Sequence, residues 1–366
     1  MNVIIIANIR WGFLKQRHQF IAEGLANRNH NVIFLEAMAK RNPSIHTIPK
    51  MLGQIFRRNR AGTDSERTTL TVMSPMVLPS LNAFFSLLNK RFFLPRLIRK
   101  IDSLLQKDVK TVIWNYIPSD SSVHLIRSIE HSRCIYDCVS NFDYVRDMPK
   151  RSVQMEHEVL EVTDTVVVDC DYLLEKLRGS AKSIYQIEPG VVFDSFKEIG
   201  IGPKGKIRSI VFFGQLTAGI NDIDFLNLLA GKGYEVSVVG IVKSEKPLHP
   251  LIHRFPPIPH DQLPKALEKY DALVLPYLCN GFTDGVIPAK FFECMATGLP
   301  VIATNIFNFK RYRRLLISGN DTTEIVNAIE NYSPETDISL REERIRVAKE
   351  HDWDSIIRMV EKLIVQ

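Results

Sequence analysis

Residues 271–304, DALVLPYLCNGFTDGVIPAKFFECMATGLPVIAT, constrain this chain more than any other stretch. Two short apolar runs, 271–276 and 301–304, flank a segment with helical spacing. Phe291, Met295 and Ala296 fall on one helical face, with Lys290, Glu293 and Thr297 on others. Gly298 follows the last helical residue, where a left-handed C-cap is wanted, and Pro300 blocks further helix. Strand, helix and strand in this order predict a right-handed βαβ crossover.

The start of that helix suggests chemistry. Thr283, Asp284 and Gly285 read as a loop, and Pro288 suits the first helical turn. Free backbone N–H groups and the positive helix end favour phosphate, and Lys290 adds a point charge for it. Glu293 suits paired ribose hydroxyls. The same spacing also fits an ordinary solvated Lys and Glu on a surface helix.

Pro288-Ala289-Lys290-Phe291-Phe292-Glu293, followed by Ala296-Thr297-Gly298-Leu299-Pro300-Val301-Ile302-Ala303-Thr304, resembles a known signature. It is that of GT-B fold glycosyltransferases of the bacterial surface-polysaccharide type, family-4-like, similar to teichuronic acid and xanthan glycosyltransferases. The resemblance implies an α/β fold of two Rossmann-like domains, their parallel sheets facing across a cleft. A C-terminal helix would return to the N-terminal domain. The expected ranges are 1–195 for the acceptor domain, 196–345 for the donor domain and 346–366 for the returning helix. Lys290 would hold the nucleotide diphosphate and Glu293 the ribose. Gly214, Gln215, Gly240, Ile258, Tyr277, Thr283, Asp284, Gly285 and Pro288 would complete the donor side. Many relatives carry a second Glu eight residues before the first. Here that position is Gly285, with Asp284 beside it, a departure in the sugar-contacting half of the motif.

At 366 residues the chain has room for two domains. Its 45% hydrophobic and 24% charged content is that of a globular protein with a full core. No apolar run reaches the ~18 residues of a membrane span. The opening run, residues 1–7, is short and lacks a basic flank, so it reads as a first strand and not a signal peptide. Five cysteines lie scattered without metal spacing, which predicts reduced, mostly buried thiols and no metal. The net charge of +6 suits anionic partners. No nucleic-acid motif accompanies it, so nucleic acid is not expected.

The chain opens as a βαβ unit: strand 2–7, helix 15–28, strand 32–36. Gly12 reads as a tight turn near a cleft. The resemblance places Arg10, Trp11 and Gly12 on the acceptor side, and Trp11, Arg17 and His18 match its W…R-H-Q pattern. His18 is either a general base or a residue packed beneath the loop. Residues 40–110 are the least regular part, with a basic run at Arg57, Arg58 and Arg60. Phe84, Phe85, Leu87, Leu88, Phe92 and Phe93 then alternate with Lys90, Arg91, Arg96, Arg99 and Lys100. That pattern fits an interfacial helix on anionic lipid, or a helix pair packed on the first sheet.

Strands are predicted at 111–116 and 133–136, with a helix at 119–129 between them. Asp137 and Asp143 follow the second strand, where ligands sit in open α/β sheets. The resemblance implies an acidic base here that activates the acceptor hydroxyl, so each is either that base or a capping residue. Residues 151–162 read as a helix, 163–168 as a strand, and 200–206 as the interdomain linker. The second domain restarts with strand 209–213, the loop Gly214-Gln215-Leu216, helix 222–229 and strand 235–239, ended by Gly240-Ile241. Helices are expected at 260–269, 324–332, 344–352 and 353–365.

The expectation is a glycosyltransferase moving a sugar from a nucleotide-diphosphate sugar, UDP-sugar favoured, to a glycan or lipid-linked acceptor. No cofactor or metal is expected. Lys290, the Gly214 loop and the helix start would take the diphosphate charge. Expected surroundings are the cytoplasm, at the inner face of the membrane where the acceptor is lipid-linked. The alternatives are a sugar epimerase or a glycan phosphorylase on the same fold, or a non-catalytic nucleotide-sugar-binding or scaffold subunit.

Overall fold

The computed structural model describes residues 1–12, 14–36, 38, 69–78, 83–144, 150–197, 199 and 205–366, with side chains from 154 onward in the 150–161 helix. The basic run at 57–60 and most of the expected linker lie outside these residues. The chain divides into two compact units. One comprises Met1–Asp169, Leu173–Ile187 and Ile357–Gln366, the other Cys170–Tyr172 and Glu188–Ile356.

The first unit holds β1 (Asn2–Ile6), β2 (Asn31–Leu35), β3 (Leu70–Met73), β4 (Thr111–Asn115), β5 (Arg133–Cys138), β6 (Thr165–Val168) and β7 (Ile184–Gln186). They form one parallel sheet in the order β3-β2-β1-β4-β5-β6-β7. Val3 pairs with Val32 on one side and Val112 on the other, and every residue of β1 is buried, as its continuous apolar run requires. The second unit holds β8 (Ser209–Thr217), β9 (Glu235–Lys243), β10 (His253–Phe255), β11 (Ala272–Leu275) and β12 (Val301–Ala303). Their order is β10-β9-β8-β11-β12, again parallel. Its core gathers Phe212, Phe225, Leu226, Val236, Val238, Val274 and Ile302. In each sheet the strand order reverses once, between β1 and β4 and between β8 and β11. Such reversals are where open α/β sheets bind ligands, at the carboxyl ends of the strands.

Several expected boundaries move. β8 and β9 do not stop at Phe213 and Val239; they stay paired from Ser209↔Glu235 through Gly214↔Gly240 to Thr217↔Lys243. Both glycines take left-handed backbone, φ +107° and +142°, so the ladder passes through them where the sequence signals a break. The expected 260–269 helix is only Leu263–Leu267, and Thr283 and Asp284, expected in a loop, lie in a short helix, Gly281–Asp284. The expected 344–352 helix begins ten residues earlier and spans Pro334–Glu350. The crossings between units also differ from the expected ranges. Glu188 and the segment after it belong to the second unit because Val191 bridges to Asp352 and Trp353 N donates to Val191 O at 3.1 Å. The last helix, Trp353–Val365, therefore starts in the second unit and ends in the first. In the first unit Glu361 meets Arg28 at 3.0 Å and His30 at 2.9 Å, and Ile357 lies over Gly24.

The 290–297 helix is fixed at its far end by buried charge. Gly298 takes the left-handed C-cap conformation, φ 74°, as expected. The buried Arg344 donates to Gly298 O at 2.9 Å and makes a bidentate pair with Asp337 at 2.7 and 2.9 Å. Phe291 and Phe292 are fully buried on the core face, each contributing roughly 1.5–3 kcal/mol.

Candidate functional site

In the second unit the site builds from the carboxyl end of β8. The side chain of Lys290, first residue of the Lys290–Thr297 helix, reaches back to this strand. Its ammonium donates to Phe213 O at 2.8 Å and lies 4.2 Å from the Phe212 ring centroid. Gly214 leaves room for it: a Cβ there would meet Lys290 Nζ at 2.7 Å. Burial pushes the Lys290 pKa down to about 8, against the opposing pull of Cys294 and Glu293. A lysine so placed is a half-desolvated cation with a small set of fixed partners, suited to a phosphate oxygen.

One helical turn on, Glu293 is 18% exposed, and its Oε1 accepts from His260 Nε2 at 2.8 Å. His260 opened an expected helix but was not among the expected site residues. The pairing joins positions 33 apart in sequence, and no local pattern signals it. Ile258, two residues earlier, is half-buried. Gln215 is exposed and donates to Thr217 Oγ1 at 2.9 Å.

Other expected donor residues are engaged in local structure. Asn280 caps the short helix, accepting from Phe282 N at 3.0 Å and Thr283 N at 3.1 Å. Thr283 Oγ1 donates to Leu278 O, and Asp284 Oδ1 accepts from Phe307 N at 3.0 Å. Asn308 donates to Asp284 O at 2.7 Å and Val286 O at 3.0 Å, which ties this loop to the 3-10 turn Phe307–Leu315. Gly285 has φ −85°, which any residue adopts. Tyr277 is buried, its backbone N donates to Thr304 Oγ1 at 2.9 Å, and burial pushes its hydroxyl pKa up. Pro288 O accepts from Phe291 N at 2.8 Å, so Pro288 precedes the helix and shapes its first turn.

The candidate catalytic residues fall in the first unit. Asp137, on β5, is fully buried; its Oδ2 accepts from Arg17 Nε at 2.9 Å and from Trp114 Nε1 at 3.0 Å. Arg17 also donates to Ile187 O at 2.9 Å. That is the geometry of a structural ion pair, with Asp137 holding the start of the Arg17–Asn27 helix against the sheet. His18 is buried and lies 3.9 Å from Tyr116, centroid to centroid. Burial, aided by Arg17, lowers its pKa to about 3, too weak a base for proton transfer near neutrality. The packed alternative for His18 fits this environment. Asp143 is the exposed member, at 44%, and pairs with Lys176 at 2.9 Å. Lys176 also donates to Asn141 Oδ1 at 2.8 Å and meets Glu156, which accepts from Tyr136 Oη at 2.8 Å.

On the expected acceptor side, Arg10 and Gly12 are exposed and Trp11 is half-buried. Trp11 N donates to Glu36 Oε2 at 2.6 Å, and the ring meets Phe34 edge-on at 5.0 Å. Gly12 lies in a turn with Trp11, as expected, but the turn does not require glycine: its φ is not left-handed, and a Cβ there would meet nothing within 4 Å. Gln19 braces the loop, its amide reaching Trp11 O at 3.4 Å. Among the described residues no group of three or more His, Cys, Asp or Glu is placed to hold a metal ion, and no helix is long and apolar enough to cross a membrane.

Comparison with known proteins bears on this geometry. Residues 209–333 match the family model described as "Glycosyl transferases group 1". A protein of Bacillus subtilis (strain 168) assigned to teichuronic acid biosynthesis, the glycosyltransferase TuaH, is 23% identical over 233 residues, 57% of this chain and 58% of that protein. The match thus spans a little over half of the curated relative. Sucrose-phosphate synthase from Thermosynechococcus elongatus superposes with a TM-score of 0.66 at 14% identity, covering 99% of this chain and 98% of that one. WaaG, a glycosyltransferase involved in lipopolysaccharide biosynthesis, gives 0.60 at 13% identity over 100% and 99%. TarM gives 0.63 at 10% identity over 100% and 99%. The fold is GT-B, and the likeness read from Pro288 to Thr304 is borne out.

Proposed function

We propose that this chain, which carries a group 1 glycosyltransferase domain on the GT-B fold, moves a sugar from a nucleotide-diphosphate sugar to a glycan or lipid-linked acceptor in surface polysaccharide synthesis. The observation that carries the reading is Lys290, held by Phe213 O beside Gly214 at the strand-order reversal of the second sheet. A diphosphate oxygen would take the place of that carbonyl as partner for the ammonium. The charge that develops on the departing diphosphate is then met by a preorganised cation and the start of the 290–297 helix. Glu293 would receive the ribose. UDP is the favoured nucleotide, and the reaction is proposed to need no divalent ion.

The acceptor reading rests on the first unit. Phe84, Leu87 and Phe92 are 62%, 63% and 50% exposed, interspersed with exposed Lys90, Arg91, Arg96, Arg99 and Lys100. Apolar side chains and cations on one exposed segment support contact with an anionic lipid surface that presents a lipid-linked acceptor.

Isothermal calorimetry with UDP, GDP and ADP and their sugar conjugates, in chelator-treated buffer, tests the donor reading. Binding of one nucleoside diphosphate is expected, weakened at least about tenfold, or ~1.4 kcal/mol, by Lys290→Met. No binding by any of them, or equal binding by the variant, overturns it. Turnover of the bound sugar conjugate with acceptor separates a transferase from a non-catalytic binder.

A further inference from the structure

We infer that His260 is a positioning residue for the donor site: it holds the Glu293 carboxylate by one oxygen so that the other faces the nucleotide ribose. The inference rests on the donor reading given above. His260 Nε2 donates to Glu293 Oε1 at 2.8 Å, and no hydrogen bond among the described residues reaches Glu293 Oε2. An ionised carboxylate has lone pairs to spare on that second oxygen and only accepts, the complement of two hydroxyl donors. The imidazole is itself braced: Phe196, fully buried, meets it edge-on at 5.2 Å. His260 also lies two positions after Ile258, one of the residues expected on the donor side.

An exposed His–Glu pair that only decorates a surface contributes little to stability and nothing to ligand choice. A positioning pair has a different signature. The groups facing His260 are Glu293 and Asp261, with Lys290 and Cys294 beyond Glu293. The hydrogen bond to Glu293 raises the imidazole pKa, and burial opposes it. The imidazolium is therefore present below that raised pKa and lost as pH rises through it. Ribose recognition should weaken in the same direction. Lys290 also loses charge with rising pH, but it acts on phosphate alone, so its effect is shared by inorganic pyrophosphate and cancels when the two ligands are compared.

The test is calorimetry on the full chain with three probes: the nucleoside diphosphate that binds best, its 2′,3′-dideoxy analogue and inorganic pyrophosphate. Wild type, His260→Ala and His260→Gln are compared from about pH 6 to about pH 9, the range in which a histidine titrates. His260→Ala is expected to weaken the nucleoside diphosphate about three- to tenfold and leave pyrophosphate and the dideoxy analogue unchanged. His260→Gln keeps an N–H donor without a titrating charge. It should recover much of the affinity and flatten the pH dependence of the nucleotide-to-pyrophosphate ratio. Equal loss for all three probes, or none for any, overturns the inference while leaving the donor site standing. Wild-type protein that binds none of the probes overturns the donor reading and this inference together.

Discussion

Gly240 lies so close to Gly214 that a Cβ on it would sit 1.9 Å from the Gly214 carbonyl oxygen. The two glycines are register partners, and the β8–β9 ladder continues for three more pairs. The backbone therefore has no easy way to yield. Gly240→Ala combines this clash with a left-handed φ of +142° and is expected to cost at least about 2 kcal/mol. At Gly214 the clash is with Lys290 Nζ, the far end of a flexible side chain, so Gly214→Ala should destabilise less and instead weaken diphosphate binding. Denaturant unfolding and nucleotide calorimetry on both variants check the contrast. A Gly240→Ala protein of wild-type stability would contradict it.

Lys290 gives two pH effects of opposite sign. Its folded pKa of about 8 lies below the ordinary lysine value of 10.5, so the unfolded chain holds more protons between those limits. Its contribution to stability therefore improves as pH rises through about 8. Diphosphate binding needs the ammonium and should weaken over the same interval. Unfolding and diphosphate titrations at several pH values, with Lys290→Met as reference, would show both slopes vanish in the variant.

How much of this was legible depended on whether the signal was local. Gly298 as C-cap, Lys290 at a helix start and the parallel strands all follow from neighbours in sequence. The ends of β8 and β9 were misread because glycine normally weakens a strand, whereas here two left-handed glycines sit inside the ladder. The first ten residues of the Pro334–Glu350 helix escaped because PETDISLREE lacks an apolar stripe. What holds Asp137 and Glu293 in place escaped for another reason. Their partners, Arg17 and His260, are 120 and 33 positions away, and only the fold brings them together.

Asp137 makes the case testable. A base would lose activity on Asp137→Asn with folding intact. A buried ion pair that loses one partner leaves the other charge stranded at a cost of about 3–5 kcal/mol. Asp137→Ala is thus expected to lower the unfolding midpoint strongly, with Asp137→Asn intermediate because it still accepts from Trp114. A fully stable Asp137→Ala chain would restore the catalytic alternative.

The exposed apolar side chains of Phe84, Leu87 and Phe92 predict binding to anionic vesicles. Replacing all three by Ser should reduce co-sedimentation with phosphatidylglycerol vesicles severalfold while stability stays within about 0.5 kcal/mol, as for other exposed positions. Wild-type protein should sediment poorly with phosphatidylcholine. Equal binding by the triple variant, or by both lipids, would count against the lipid face.

Glu188 ties together three segments of the second unit. Its carboxylate accepts from Tyr312 Oη at 2.7 Å and pairs with His351 Nε2 at 2.7 Å, with Arg311 at 3.5 Å. His351 Nδ1 meets Val347 O at 2.7 Å, so both ring nitrogens face acceptors. Burial alone would raise the Glu188 pKa, but the bonds from His351 and Tyr312 outweigh it and the pKa is lowered. A carboxyl with a lowered folded pKa contributes stability that is complete above its unfolded value and is lost as pH falls through the folded one. Glu188→Gln removes that charge and should destabilise at neutral pH by about 1–3 kcal/mol. The gap to wild type should close as the medium is acidified past the carboxylate range. Unfolding titrations of the two proteins at neutral and acidic pH measure it, and a gap that widens in acid would reverse the sign argued here.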